Sequence, residues 1–362
     1  MEYHPLTEAE KREICTWKYE GAYAIYDSAP YEEQRRSGKG LFNPRNDLFA
    51  FRDGEKLIGY INLFEDGDEV FFGIGAAPDC CGRGYGQKMA AAALSIAKEL
   101  FGDKPLHLEV RTWNARAIRC YEKAGFRVDG EPFTQTTPIG TGEFCRMVKA
   151  PASAFWENSW SKIDPARVAA YVGSLDPSPD TIIQYLLSRG AKTVCDAGCG
   201  CGAYAAKLCF FGFSVSGFDL SPAAVRLAQA LLAERGFATK GFRAADISET
   251  GFPNSRFDAV VARDVLDHLS LKSARRTAAE LLRIAKPGGC VVLTLDAADE
   301  EYESEPHVLS PDGDYLYTDG KRCGMVFHPY TPETLSPLFP GRTMRLLASS
   351  ETGFTAAFQK EN

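Results

Sequence analysis

Short apolar runs at strand spacing alternate with longer stretches at helical spacing along this chain. Asp47 to Arg52 and Lys56 to Phe64 read as two strands joined by the turn pair Asp53-Gly54. Glu69 to Ala76 is a third strand; it ends at Pro78 and opens into Cys81-Gly82-Arg83-Gly84-Tyr85-Gly86. An Ala- and Leu-rich helix from Gln87 to Leu100 follows, then a strand from Pro105 to Arg111. A short helix from Asn114 stops at Gly125, and Phe126 begins a new strand. Upstream, Thr7-Glu8-Ala9-Glu10 has the form of a capping box and opens a helix expected to run to about Tyr19. Ser37 to Asn46 reads as a polar loop.

A break at Pro151-Ala152-Ser153-Ala154 divides the chain. Beyond it lie Phe155, Trp156 and Trp160, then a short helix from Asp164-Pro165 to about Val172 and another from Asp176-Pro177 to Arg189. Strands then alternate with helices: Thr193 to Asp196, Phe213 to Phe218, Phe242 to Ala244, Phe257 to Ala262 and Cys290 to Leu295. That alternation predicts a mainly parallel sheet covered on both faces, with ligands at the carboxyl ends of its strands. The polar stretch from Asp296 onward, with Tyr302, His307, Tyr315 and Tyr317, is long for a connection and reads as a lid. The expected organisation is α/β in two domains, 1–150 and 151–362. Within the second, 151–178 is a linker or N-terminal cap and 296–330 a lid-like insertion.

Composition narrows the function. The 362 residues carry 41 Lys and Arg against 48 Asp and Glu, a net charge of −7, which disfavours broad nucleic-acid binding. No apolar run approaches a membrane span, and the opening Met-Glu-Tyr-His-Pro lacks a signal-peptide pattern, so a cytoplasmic location is expected. The 11 cysteines are expected as reduced thiols. Cys80-Cys81 and Cys199-x-Cys201 lack zinc-ligand spacing, so no metal is expected.

Two glycine-rich turns carry the chemistry. The first, Cys81 to Gly86, leads into a helix and holds Arg83, with Lys88 one turn on; exposed N–H groups and positive charge suit a pyrophosphate. The second, Asp196-Ala197-Gly198-Cys199-Gly200-Cys201-Gly202, follows a strand and precedes a helix, and the next strand ends at Asp219, an acid suited to a ribose diol.

The first half resembles the GNAT-family N-acetyltransferases: Gly84 and Gly86 match the pyrophosphate loop, while Cys81 departs from its first position. Leu108-Glu109-Val110-Arg111 with Asn114, Ala117, Tyr121 and Gly125-Phe126 is similar to the ribosomal-protein N-terminal acetyltransferases. The resemblance implies a GNAT-type mixed α/β fold and acetyl-CoA as cofactor. It implies Glu109 as general base, Tyr121 as acid and Asn114 near the pantetheine arm. Cys81, Gly82, Arg83, Gly84, Tyr85 and Gly86 would hold the pyrophosphate, and amides of the Ile74–Ala76 strand end the thioester oxygen. Glu69 is a spare base.

The second half resembles the class I S-adenosylmethionine-dependent methyltransferases, whose first motif is matched by Asp196, Gly198, Gly200 and Gly202. This implies a Rossmann-like fold and S-adenosylmethionine as cofactor. Asp196, Gly198, Gly200, Asp219 with Leu220, Asp246 with Ile247, and Arg263 would bind it. His268 and His328 are candidate bases or acceptor ligands, and Asp264 a contact for a cationic acceptor. Ala262-Arg263-Asp264-Val265 stands where amino-methylating relatives carry N-P-P-[YF], which points toward a small-molecule or peptide acceptor. The expected function is a bifunctional transferase that N-acetylates and O- or N-methylates. A tRNA-modifying enzyme, and a half that only binds, stay open as alternatives. The sequence does not set the oligomeric state.

Overall fold

In the computed structural model the described residues are 1–361 apart from 138–139, 175, 311 and 318–319, with the backbone alone at 152. They form two compact units. One is Met1–Pro151 with Glu305–Gly324, the other Ala152–Ser304 with Met325–Asn362.

In the first unit the order of strands is Glu2–Pro5, Asp47–Asp53, Lys56–Asp66, Glu69–Ala76, Leu106–Arg111, Gly140–Lys149 and Arg127–Val128, with Phe133–Thr137 also paired to Gly140–Lys149. Every pairing is antiparallel except that of Glu69–Ala76 with Leu106–Arg111. That parallel pair holds register only at Val70↔Leu106 and Phe71↔His107. Beyond it the strands part, and the edge from Phe72 to Ala76 is left without a ladder on that side. The helix Tyr85–Phe101 buries Met89, Ala90, Ala93, Ile96 and Ala97, a stripe at helical spacing, against the sheet. This is the GNAT-type mixed fold that the motifs implied.

The Thr7–Glu10 capping box is present, but its helix spans only Glu8–Ile14. A 3-10 helix, Gly21–Tyr26, and a helix, Tyr31–Ser37, follow where no element was expected.

The second unit has the strand order Phe242–Ala244, Ser214–Asp219, Thr193–Ala197, Phe257–Arg263, Ala285–Asp296, Gly353–Gln359 and Met344–Ser350. The first five are parallel; the last two are antiparallel and were not read from the sequence. Alternate residues feed opposite faces. Val194, Ala259, Val261 and Val292 join one core, while Cys195, Ala197, Val260, Ala262 and Leu293 join the other. A sheet buried on both faces needs such continuous apolar strands, and this is the Rossmann-like arrangement expected. Its carboxyl ends gather Ala197, Asp219, Ala244, Arg263 and Asp296 along one edge.

The stretch 296–330, expected as one lid, is divided. Its ends stay with the second unit, whereas Glu305–Gly324, with the antiparallel pair His307–Leu309 and Tyr315–Tyr317, is grouped with the first. Long-range packing, invisible in local pattern, decides this placement. Among the described residues no helix is long and apolar enough to cross a membrane.

Candidate active sites

In the first unit the parted strands and the glycine turn are consecutive. The 3-10 turn Pro78–Cys80 leads through Cys81 to Gly82 (φ +77°) and Gly84 (φ +81°), and Gly84 is the N-cap of the helix Tyr85–Phe101. No side chain caps that helix. Its first N–H groups are therefore available to an anion. Both glycines adopt a left-handed backbone and a Cβ on either would meet nothing within 4 Å, so the turn is open. Arg83 and Lys88 are exposed beside it. Tyr85 is tied back by its hydroxyl to Asp53 at 2.6 Å. Gly86 lies where a Cβ would stand 2.9 Å from Cys120 Sγ, which fixes the helix close to its neighbour Ala115–Lys123.

Ile74 and Ala76 sit on the unladdered edge. The Ala76 carbonyl accepts from the Tyr19 hydroxyl at 2.9 Å. Asn114 caps the helix Ala115–Lys123 through Ala117 N–H (3.2 Å) and donates to the Tyr26 hydroxyl (3.0 Å). Tyr121 packs edge-to-face on Phe72 and Phe126, and burial pushes its phenol well above the ordinary range. It stays protonated at neutral pH and remains a donor. Glu109 is exposed on the face opposite Leu108 and Val110. Arg146 stands opposite it in register, but that guanidinium is taken by Glu69 (2.6 and 2.7 Å) and Asp129 (2.9 Å). Glu69, the spare base, is thus held in an ion pair. Glu109 keeps no ion-pair partner among the described residues, and no hydrogen bond joins it to Tyr121.

Sequence reasoning missed an aromatic group beside Asn114. Tyr23 and Tyr26 lie against Trp113, which is 44% exposed, and Arg116 stacks over Tyr23 at 4.1 Å. Exposed tryptophan beside tyrosines on a short polar segment was the available signal.

The second unit holds the other turn. Gly198, Gly200 and Gly202 all have positive φ, and each lies against something. A Cβ on Gly198 would come 2.6 Å from Val265 Cγ2, on Gly200 2.9 Å from the Trp160 ring, and on Gly202 2.8 Å from Ala228 Cα. Asp219 accepts from Gly200 N–H and Ser221 N–H, both at 2.9 Å, and so ties the turn to the next strand end. Burial raises its carboxyl, with those N–H groups opposing. Leu220 follows, half-buried. Asp246 accepts from Ser248 N–H (2.7 Å) through Oδ1, and Ile247 beside it is buried. Arg263 stacks on Tyr204 at 4.3 Å.

Asp196 is 2% exposed, and its Oδ2 is buried without a hydrogen-bond partner. Burial pushes its carboxyl up to about 7, with Arg263 pulling the other way. An orphaned acceptor at the mouth of a glycine turn fits a ligand that brings a donor and positive charge, as the amino-acid end of S-adenosylmethionine would.

A helix, Ala152–Trp160, covers this turn. Glu157 accepts from Ala223 N–H (3.0 Å) and from the Ser221 hydroxyl, so it anchors the helix at the start of Pro222–Glu234. Trp160 then rests on Gly200, and Trp156 meets His268 edge-on at 5.1 Å. Tyr171, further along the 151–178 segment read as a linker or cap, is 57% exposed.

Past Arg263 the backbone turns through Asp264 (φ +54°), whose Oδ1 accepts from Thr294 Oγ1 at 2.5 Å. This strained residue aims the next turn, Leu266–His268, at the strand end Asp296. Asp267 is fully buried; its Oδ2 accepts from Asp296 N–H at 3.0 Å. Burial raises its carboxyl to about 6, against the pull of His268. Tyr302 stacks on Phe327 at 4.1 Å and donates to Asp296 Oδ2 at 2.9 Å. His268 therefore joins this cluster. His328 is buried, packs on Tyr330, and reaches the same turn through its own N–H to the Asp267 carbonyl.

Comparison with known proteins agrees with this division. Residues 11–126 match the acetyltransferase (GNAT) family model, and 194–289 match a methyltransferase domain model. The chain is similar to a 2-methyl-6-phytyl-1,4-hydroquinone methyltransferase of Synechocystis, 34% identical over 134 residues, covering 37% of this chain and 38% of that protein. It is also similar to a 2-heptyl-1-hydroxyquinolin-4(1H)-one methyltransferase of Mycobacteroides abscessus, 31% identical over 147 residues, covering 40% and 64% respectively. The chain thus spans between about two fifths and just under two thirds of the length of these two relatives. Among solved structures, a spermidine N-acetyltransferase chimera from Vibrio cholerae aligns with TM-score 0.34 and 22% identity, over 41% of this chain and 94% of that one.

Proposed function

A chain that joins a GNAT acetyltransferase domain to a class I methyltransferase domain is a transferase, and we propose that it is bifunctional, acetylating an amine and methylating a ring hydroxyl of a small molecule. Family membership implies acyl-CoA and S-adenosylmethionine as the donors.

In the acetyl half, bound acetyl-CoA supplies an activated thioester carbonyl. The open turn at Gly82–Gly84 with Arg83 supports pyrophosphate binding. Amides of Ile74 to Ala76 lie on the unladdered edge, where a carbonyl oxygen gains from N–H donors. A protonated amine cannot attack, so its proton must leave, and the proposed acceptor, through water, is Glu109, whose carboxylate is exposed. Tyr121, kept neutral by burial, can give its proton to the departing thiolate.

In the methyl half, bound S-adenosylmethionine supplies an electrophilic methyl group. Placement supplies much of the rate, and a base is needed only because a hydroxyl acceptor must lose its proton. The observation that carries the acceptor reading is the ring-lined polar cluster. Trp156 and Phe327 flank His268, and Tyr302 holds Asp296. The partly exposed Trp156 ring beside proton-accepting groups suits a flat hydroxylated ring. Two similar proteins are named for a hydroquinone and a hydroxyquinolone.

The test supplies the whole chain with methyl-labelled S-adenosylmethionine and acetyl-labelled acetyl-CoA, against panels of hydroxylated bicyclic rings, small primary amines, peptides and tRNA. Methyl label on ring oxygens and acetyl label on amines is expected. Methyl label confined to peptide or tRNA would overturn the acceptor reading, and no turnover of either donor on any acceptor would overturn the enzymatic one.

A further inference from the structure

Asp267, His268 and Asp296 each offer one donor atom, and these atoms lie within 4.8 Å of one another. Asp267 is 0% exposed. Its Oδ1 and the Nδ1 of His268 are both buried without a hydrogen-bond partner. A buried carboxylate oxygen and a buried imidazole nitrogen each lose water on folding, and leaving both unpaired is costly. They are neighbours in sequence and still do not bond each other. A cation between them would satisfy both.

The surroundings hold the three side chains in place. Asp267 Oδ2 is fixed by Asp296 N–H, Asp296 Oδ2 by the Tyr302 hydroxyl, and the His268 ring lies between Trp156 and Phe327. Such outer contacts orient metal ligands. Two carboxylates and one imidazole suit borderline first-row divalent ions; all-oxygen sites suit calcium or magnesium. Three protein ligands leave coordination positions free. The cluster also adjoins the cofactor turn, because Val265, two residues before Asp267, packs on Gly198.

We propose that Asp267, His268 and Asp296 bind one divalent first-row cation, of the manganese-to-zinc class, whose open positions take the oxygen of the methyl acceptor. This rests on the hydroxyl-acceptor reading above and deepens it. A cation-bound hydroxyl gives its proton to solvent water near neutral pH. The oxygen left on the cation would then form its bond to the methyl carbon as the sulfonium S–C bond breaks and S-adenosylhomocysteine leaves, so the site would prepare the nucleophile without a dedicated base. The spacing of the cysteine pairs predicts no metal; the ligands proposed here are oxygen and nitrogen atoms outside those pairs.

The experiment titrates the EDTA-stripped whole chain with Mn2+, read by electron paramagnetic resonance, with S-adenosylhomocysteine titrated in parallel. Wild type should take up one Mn2+ per chain in the micromolar range. Asp267→Asn, His268→Gln and Asp296→Asn should each weaken that binding at least about tenfold, and Tyr302→Phe by a smaller factor. S-adenosylhomocysteine affinity should stay unchanged, which also shows that each variant folds. If buried Asp267→Asn does not fold, the partly exposed His268 and Asp296 variants decide. No stoichiometric uptake by wild type at millimolar Mn2+, or uptake undiminished in these variants, overturns the proposal. Undiminished ring-hydroxyl methylation in EDTA with no Mn2+ uptake would remove the cation and keep the acceptor reading. Mn2+ uptake lost in the variants, with no hydroxyl methylated by the metal-loaded chain, would keep the site and remove the acceptor.

Discussion

The two glycine turns share a sequence logic and differ in what surrounds them. Gly82 and Gly84 face open space, with exposed Arg83 and Lys88 beside them. Gly198, Gly200 and Gly202 are pressed against Val265, Trp160 and Ala228. The first needs glycine only for its left-handed backbone; the second needs it for backbone and space together. An open turn with cations suits a polyanion that stays partly hydrated. A covered turn with a buried, unpaired acid suits the enclosed, positively charged amino-acid end of a ligand.

The largest effect should come from Gly202→Val. The residue has φ +79°, and the obstructing atoms include backbone of Ala228. Strain and overpacking together should remove roughly 2–6 kcal/mol of stability from the second unit. Calorimetry should show S-adenosylhomocysteine binding lost and acetyl-CoA binding kept; loss of both would erase the contrast. Next, Tyr121→Phe should lower kcat for acetyl transfer about 100-fold through loss of the proton donor. Acetyl-CoA affinity, which depends on the open turn, should not change.

Asp196 gives a smaller effect, and one confined to the covered turn. Its carboxyl is raised to about 7. The neutral acid is therefore favoured in the fold, and its contribution to stability is full below about 4 and lost as pH rises through about 7. The Tm of the ligand-free second unit should fall across that window, and Asp196→Asn should flatten the slope. A positively charged ligand favours the ionised acid, so S-adenosylmethionine affinity should rise from pH 6 to pH 8 in wild type and not in the variant. Smallest is Gly84→Ala. With open space around it only the left-handed backbone is penalised, by about 1–2 kcal/mol, and acetyl-CoA affinity should change less than tenfold. A larger loss would mean that the first turn is as tightly enclosed as the second.

These contrasts mark where local pattern stops being informative. The Thr7–Glu10 cap, the strand Glu69–Ala76 and both glycine turns stood in the sequence, because each depends on residues a few positions apart. The edge strand Met344–Ser350 did not stand out, since it is largely exposed and lacks the continuous apolar run of the strands inside. Gly353–Gln359 lies within the sheet, but its short apolar run gives no sign of the antiparallel pairing with Ala285–Asp296 far back in the chain. The helix Tyr31–Ser37 was hidden in a polar stretch that buries only Tyr31 and Gln34. At the sites, Asp196 and Asp219 were legible from motif spacing. The burial of Asp267, its closeness to Asp296 and the hold of Glu157 on Ser221 and Ala223 were not, because each joins residues far apart in the chain.

The cover helix has an optical consequence. The chain has four tryptophans: Trp17 and Trp113 in the first unit, Trp156 and Trp160 in the second. Trp160 lies on the cofactor turn and Trp156 on the proposed cation ligand His268. The second unit therefore carries two intrinsic fluorophores, one beside the cofactor turn and one beside the proposed cation site. With the other three tryptophans replaced by Phe in each case, emission from Trp160 would report nucleoside occupancy and emission from Trp156 metal occupancy, so each event could be followed without an added label.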